Sequence, residues 1–153
     1  MSKQTVTQER LKELLDYNPE TGDFTWRKTT GGRLGGTVAG AIAKNAGYTQ
    51  IRVDRRKYFA HRLAFLWMTG EWPEDMVDHI NRNRADNRWC NLREANRSLN
   101  NLNNGAKGYC WIAKDKKFMA KVSGRYIGSF DTEHEARQAY LAAKRERMME
   151  AAA

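Results

Sequence analysis

Cysteine is scarce. The chain has two, Cys90 and Cys110, and they form no C-x-x-C pair. A structural zinc site needs about four ligands at tight spacing, so no zinc is expected, and both thiols read as free in a reducing cytoplasm. No run approaches the ~18 apolar residues of a membrane span, and residues 1–10 are polar, without the apolar stretch of a leader. The expectation is a cytoplasmic protein with no membrane partner. Acidic residues are also short, 18 Asp and Glu against 27 Lys and Arg, a formal charge of +9. Such a surface attracts polyanions. The imbalance is local: residues 81–128 hold eleven Lys or Arg and three acids.

The 153 residues suffice for one ordinary domain or two small ones. Gln8 to Leu15 reads as a short helix with Leu11, Leu14 and Leu15 on one face. Asn18-Pro19-Glu20-Thr21-Gly22-Asp23 is turn chemistry, and Phe24-Thr25-Trp26 a strand after it. The Gly- and Ala-rich residues 31–47 read as loop with brief extended pieces. Tyr48 to Val53 alternates as a half-buried strand, and Asp54-Arg55-Arg56 turns it into a second. His61 to Met68 reads as a core helix stopped by Gly70 and Pro73. Its leading His61 is expected to have a structural role, and His134 to be exposed.

Met76 to Ile80 is short and extended, Asn81 to Asn91 a polar loop, Asn91 to Ala95 a return strand, and Arg97 to Asn104 a helix. In that arrangement four polar side chains from three elements converge. Asp78 and His79 end one strand, Asn91 opens the next, and Asn100 projects from the helix. These types suit phosphodiester hydrolysis. Asp78 and the Asn100 amide oxygen offer the hard donors that Mg²⁺ prefers. A neutral His79 can take a proton from water near neutral pH. Asn91 can hold the imidazole tautomer or pin the loop through backbone hydrogen bonds.

The strings Asp78-His79-Ile80-Asn81, Asp86-Asn87-Arg88, Asn91-Leu92-Arg93 and Asn100 closely resemble HNH homing endonucleases of phages and bacteria. The segments His61-Arg62-Leu63-Ala64 through Gly70-Glu71-Trp72-Pro73 and Asn18 to Trp26 are similar to parts of the same family, so the resemblance covers most of residues 10–104. It implies an α+β fold with a ββα-metal core over about residues 74–104. It also implies Asp78 and Asn100 as metal ligands, His79 as general base and Asn91 as the scaffold residue. The helix ligand is Asn100 where the wider superfamily often has His, and Asn101 beside it leaves the register open by one. Mg²⁺ is the expected ion, with Mn²⁺ as the alternative.

The last segment gives three short strands, Gly108 to Ile112, Phe118 to Val122 and Arg125 to Ser129. A helix follows, opened by the Thr132-x-x-Glu135 capping box and carrying Ala136, Ala139, Tyr140 and Ala143 on one face, with Met148 to Ala153 read as a frayed tail. Residues 106–147 resemble an AP2-type DNA-binding domain in Gly108 to Trp111, Lys117 to Val122, Gly124 to Gly128, Phe130-Asp131-Thr132 and Glu135-Ala136. The expected division is a nuclease domain over 1–104 and an AP2-like domain over 105–153. Double-stranded DNA is the expected partner; the sequence leaves the oligomeric state open, with a monomer favoured. Its candidate contacts are Arg82, Arg84, Arg88, Arg93, Arg97, Trp111, Lys114, Lys117, Lys121, Arg125 and Tyr126. The leading expectation is a homing-type DNA endonuclease. The alternatives are an AP2-type binding protein with a degenerate nuclease half, and a structure-directed or non-specific nuclease.

Overall fold

Thr7 opens the first helix because its hydroxyl accepts the Arg10 N–H at 3.3 Å, one of the donors a helix start leaves unpaired. In the computed structural model, which describes residues 5–29, 31–44 and 46–152, this helix α1 is Gln8–Leu14. It runs directly into strand β1 (Leu15–Tyr17), which pairs antiparallel with β2 (Phe24–Trp26). The intervening loop folds on Asn18, whose side-chain oxygen accepts the N–H groups of Glu20 (2.9 Å) and Thr21 (3.3 Å).

A three-stranded sheet follows, ordered β3 (Ala41–Ile42), β4 (Thr49–Val53), β5 (Arg56–Phe59). Asp54 and Arg55 join β4 to β5 at φ 44° and 67°, the left-handed pair that matches the twist of a tight hairpin. Arg10 secures Asp54 from α1 at 3.0 and 3.1 Å. Ile51 and Val53 point inward from β4, while Gln50 and Arg52 share the opposite face with their partners Phe59 and Lys57. Helix α2 (Ala60–Thr69) supplies the centre of the core, with Leu63, Ala64 and Leu66 essentially inaccessible against Leu11, Leu15, Phe24 and Ile51. Its apolar sequence reflects burial on nearly every side.

After α2 come β6 (Met76–His79), a single 3₁₀ turn at Trp89–Asn91, and β7 (Leu92–Ala95), which pairs with β6. Asn91 therefore sits in the turn before the return strand rather than within it. Helix α3 (Arg97–Leu102) is capped by Asn96, whose side chain accepts the Leu99 N–H at 2.8 Å. The chain forms two compact units, residues 1–94 and 95–153, so α3 is counted with the second, ahead of the 104/105 boundary read from sequence.

In the second unit, β8 (Tyr109–Ile112), β9 (Lys117–Val122) and β10 (Arg125–Phe130) form an antiparallel sheet with β9 central. Helix α4 (Glu133–Ala152) covers one face through Ala136 and Tyr140, packed on Ala120 and Val122. The Thr132–Glu135 capping box forms as expected, with reciprocal bonds at 3.2 and 3.1 Å. The helix continues past Arg147, where a frayed tail was expected, because Met148 and Ala151 join this core and the Ala151 carbonyl accepts from Asn96 at 3.2 Å. No helix of the described residues is long and apolar enough to cross a membrane.

Gly108 enters β8 at φ 78°, and a Cβ there would overlap the Tyr140 ring. Gly108→Ala combines backbone strain with a core clash and is expected to destabilise the second unit by about 2–3 kcal/mol. Thermal unfolding followed by circular dichroism measures the loss.

Candidate active site

Strand β6 ends in two polar residues that are both buried, Asp78 at 7 % and His79 at 3 % exposure. Burying such groups is costly unless each is answered by a partner. The Arg93 guanidinium on β7 answers Asp78, placing Nε and Nη2 at 3.1 and 2.8 Å from Oδ2. Asn87 answers His79, with Oδ1 at 3.3 Å from Nε2. The orientation of that amide is fixed, because its NH₂ donates to the Ala85 carbonyl at 3.1 Å and turns the oxygen to the imidazole. His79 Nε2 therefore carries the proton, and the lone pair of the neutral ring lies on Nδ1.

Asn91 holds the loop rather than the imidazole. Its Oδ1 accepts the Asn81 N–H at 2.9 Å and its NH₂ donates to the Asp86 carbonyl at 2.8 Å. The two strands close above it through Ile80 N–H to Asn91 O at 2.9 Å. Asp86 is the second clasp. It accepts Arg88 Nε and Nη2 at 2.8 and 2.6 Å and the Asn81 amide at 2.7 Å. The Arg88 bond above all pulls the Asp86 carboxyl down to about 2. Of the two roles open to Asn91, the loop-pinning one is the contact seen. Asn87 touches the imidazole, and the string Asp86-Asn87-Arg88 was its only trace in the sequence.

An aromatic wall stands beside His79. The His61 ring meets it edge-on at 5.1 Å, Tyr48 lies 5.8 Å away, and Phe59 stacks on His61 at 5.4 Å. Arg84 covers Tyr48 at 4.9 Å. His61 is buried in this wall, and its Nδ1 has no hydrogen-bond partner among the described residues. Burial first, then His79 and Arg62, push its imidazole down to about 3. Burial likewise lowers His79, against the opposing effect of Asn87. Both rings are neutral at neutral pH, the state a proton acceptor needs. His61, expected to be structural, packs directly against His79.

Among the described residues, no group of three or more His, Cys, Asp or Glu could hold a metal ion. A cation here would depend on Asp78 together with amide or water oxygens, which suits Mg²⁺. The charge pairing of Asp78 with Arg93 shows that this buried carboxylate already takes a positive group against it. Asn100 and Asn101 are both exposed on α3 of the second unit.

The candidate DNA contacts divide by surroundings. Arg82, Arg84 and Arg97 are exposed, whereas Arg88 and Arg93 are bound to Asp86 and Asp78. In the second unit, residues directly opposite in the sheet share a face. Lys117, Lys121 and Tyr126 fall on the face away from α4, with Lys117 3.3 Å from Asp131. Trp111 pairs with Phe118 and Arg125 with Val122, which puts both on the α4 side, at the rim. Lys114 lies in the exposed β8–β9 turn.

The depressed His61 pKa has a stability consequence. An unfolded histidine takes up a proton near 6.5, whereas folded His61 resists it down to about 3. Native stability is therefore lost as pH falls below about 6.5, levelling near 3, and His79 adds to the loss in the same direction. His61→Phe preserves the stack on Phe59 and removes the proton uptake. Urea unfolding at neutral pH and at about pH 5 should show a smaller drop in that variant than in the wild type.

No curated protein and no solved structure matches the chain. The model of the HNH endonuclease family matches residues 58–102, from the end of β5 through α3. This segment contains His61, Asp78, His79, Asn87, Asn91 and Asn100, and the match supports an HNH nuclease acting on nucleic acid.

Proposed function

We propose that the protein is a metal-dependent DNA endonuclease of the homing type, acting in the cytoplasm of a bacterial or phage-infected cell. The observation that carries this reading is the buried His79, its Nε2 3.3 Å from Asn87 Oδ1, at the end of the strand that presents Asp78. His79 Nδ1 takes a proton from the attacking water. The water oxygen bonds to phosphorus as the bond to the leaving oxygen breaks. Asp78, with amide or water oxygens, would hold a divalent ion, Mg²⁺ by donor chemistry, and the bound ion would supply charge stabilisation at the phosphate. Asn91 and Asp86 keep the loop closed, and Arg93 balances Asp78.

The second unit supports a role in choosing where the enzyme cuts. Its three strands and one covering helix are the elements expected of an AP2-like module. Lys117, Lys121 and Tyr126 occupy the uncovered sheet face, a surface suited to a DNA groove. Charge neutralisation there would make binding salt-dependent.

Plasmid cleavage tests the central reading. Wild-type protein should nick or linearise DNA with Mg²⁺ and fail with a chelator, and His79→Ala should lose about 10²-fold or more in rate. Tight duplex binding without cutting under any divalent ion would replace the enzyme reading with a DNA-binding protein. The paired change Lys117→Ala and Lys121→Ala should weaken DNA binding and lower the slope of log affinity against log salt by about 2. Fluorescence anisotropy over a salt series measures both effects, and an unchanged slope would remove this face from the interface.

A further inference from the structure

The end of β1 and the loop that joins it to β2 lie outside the matched segment, yet they meet the active-site loop at three points. Tyr17 Oη donates to the Asn87 carbonyl at 2.7 Å in a buried contact. The Trp89 N–H donates to the Pro19 carbonyl at 2.9 Å. Gly22, at φ +81°, packs so closely that a Cβ would stand 2.5 Å from Asn87 C and Arg88 N. The loop is itself firmly held. Besides the Asn18 side-chain bonds, Gly22 N–H donates to Asn18 O at 2.8 Å, and Asn18 N–H to Asp23 O at 2.9 Å. Tyr17 packs on Phe24 with ring centroids 4.7 Å apart. Burial raises its phenol well above the ordinary range, so it remains a neutral donor.

These contacts converge on one residue. The Asn87 backbone is held by Tyr17 and Gly22, and its side chain is the partner of His79 Nε2. We propose that the end of β1 and the loop after it are a positioning element for catalysis: Tyr17 and Gly22 fix Asn87, and Asn87 fixes the rotation of the His79 imidazole. The proposal rests on His79 as the general base. Catalytic groups tolerate little misplacement, and an error of about 1 Å can cost about 10²-fold in rate. Neither Tyr17 nor Gly22 touches substrate in this scheme. A purely structural contact would alter stability alone.

Tyr17→Phe keeps the ring in the core and deletes one hydrogen bond. Single-turnover plasmid cleavage by this variant, at saturating Mg²⁺, is expected to slow about 5- to 20-fold with the DNA concentration for half-saturation unchanged. In an Asn87→Ala background the same change should cost nothing further, because the link it acts through is gone. A wild-type rate, or an equal loss in both backgrounds, overturns the proposal. Gly22→Ala should slow cleavage more than Tyr17→Phe does, and Tyr17→Phe alone decides the matter where the alanine variant does not fold. An activity-independent reading uses the ring ¹H–¹³C resonances of the three histidines. Those of His79 should move in Tyr17→Phe while those of His134 stay. Unmoved His79 resonances overturn the positioning role. A wild type that cuts no DNA overturns the nuclease reading instead, and the His79 resonances then still decide whether Tyr17 sets that ring.

Discussion

The buried polar residues around the end of β6 set the terms for the first unit. Asp78, His79, Asn87 and Asn91 are all withdrawn from water, and each polar group so placed needs a partner with good geometry. The partners are found within one short stretch: Arg93 for Asp78, Asn87 for His79, and Asn81 with the Asp86 backbone for Asn91. That mutual satisfaction ties a loop so rich in Asn and Arg back onto itself and onto the strand ends. It also gives the apolar core its local purpose. Leu63, Leu66, Ile51 and Phe24 form the rigid base on which strained polar positions such as Arg82, at φ 66°, can be maintained.

The same arrangement sets the chemistry. A histidine shielded from water by His61 and Tyr48 has its charged form disfavoured, so it stays neutral and able to accept a proton. Its tautomer is decided one step away, by the amide of Asn87, whose own direction is decided by the Ala85 carbonyl. A buried carboxylate beside it holds a guanidinium, a positive group against oxygen donors. Proton acceptor, charge site and a fixed loop are thus built from neighbouring residues of one hairpin.

Much of this was legible in the sequence, for identifiable reasons. Alternation marked Tyr48 to Val53, turn chemistry marked Asn18 to Asp23, and the Thr132–Glu135 spacing marked the start of the last helix, because each depends on local geometry. Asp78, His79 and Asn91 were visible as a spaced set. Their division of labour was not, since it depends on which amide reaches which ring across the loop. Asn87 was hidden among similar polar residues, and His61 lies eighteen positions before His79 although their rings touch. Arg88 and Arg93 each hold a carboxylate as well, Asp86 and Asp78, and charge in a sequence carries no sign of whether a carboxylate waits nearby. The extended end of α4 was missed because Met148 and Ala151 pack through tertiary contacts that its sparse apolar pattern does not announce.

The most direct measurement of the central claim is the tautomer of His79 in the wild-type protein, read from ring ¹⁵N chemical shifts at neutral pH. The ring should be neutral, with the proton on Nε2 and the lone pair on Nδ1. A proton on Nδ1, or a charged imidazolium, would contradict it and remove His79 as the base.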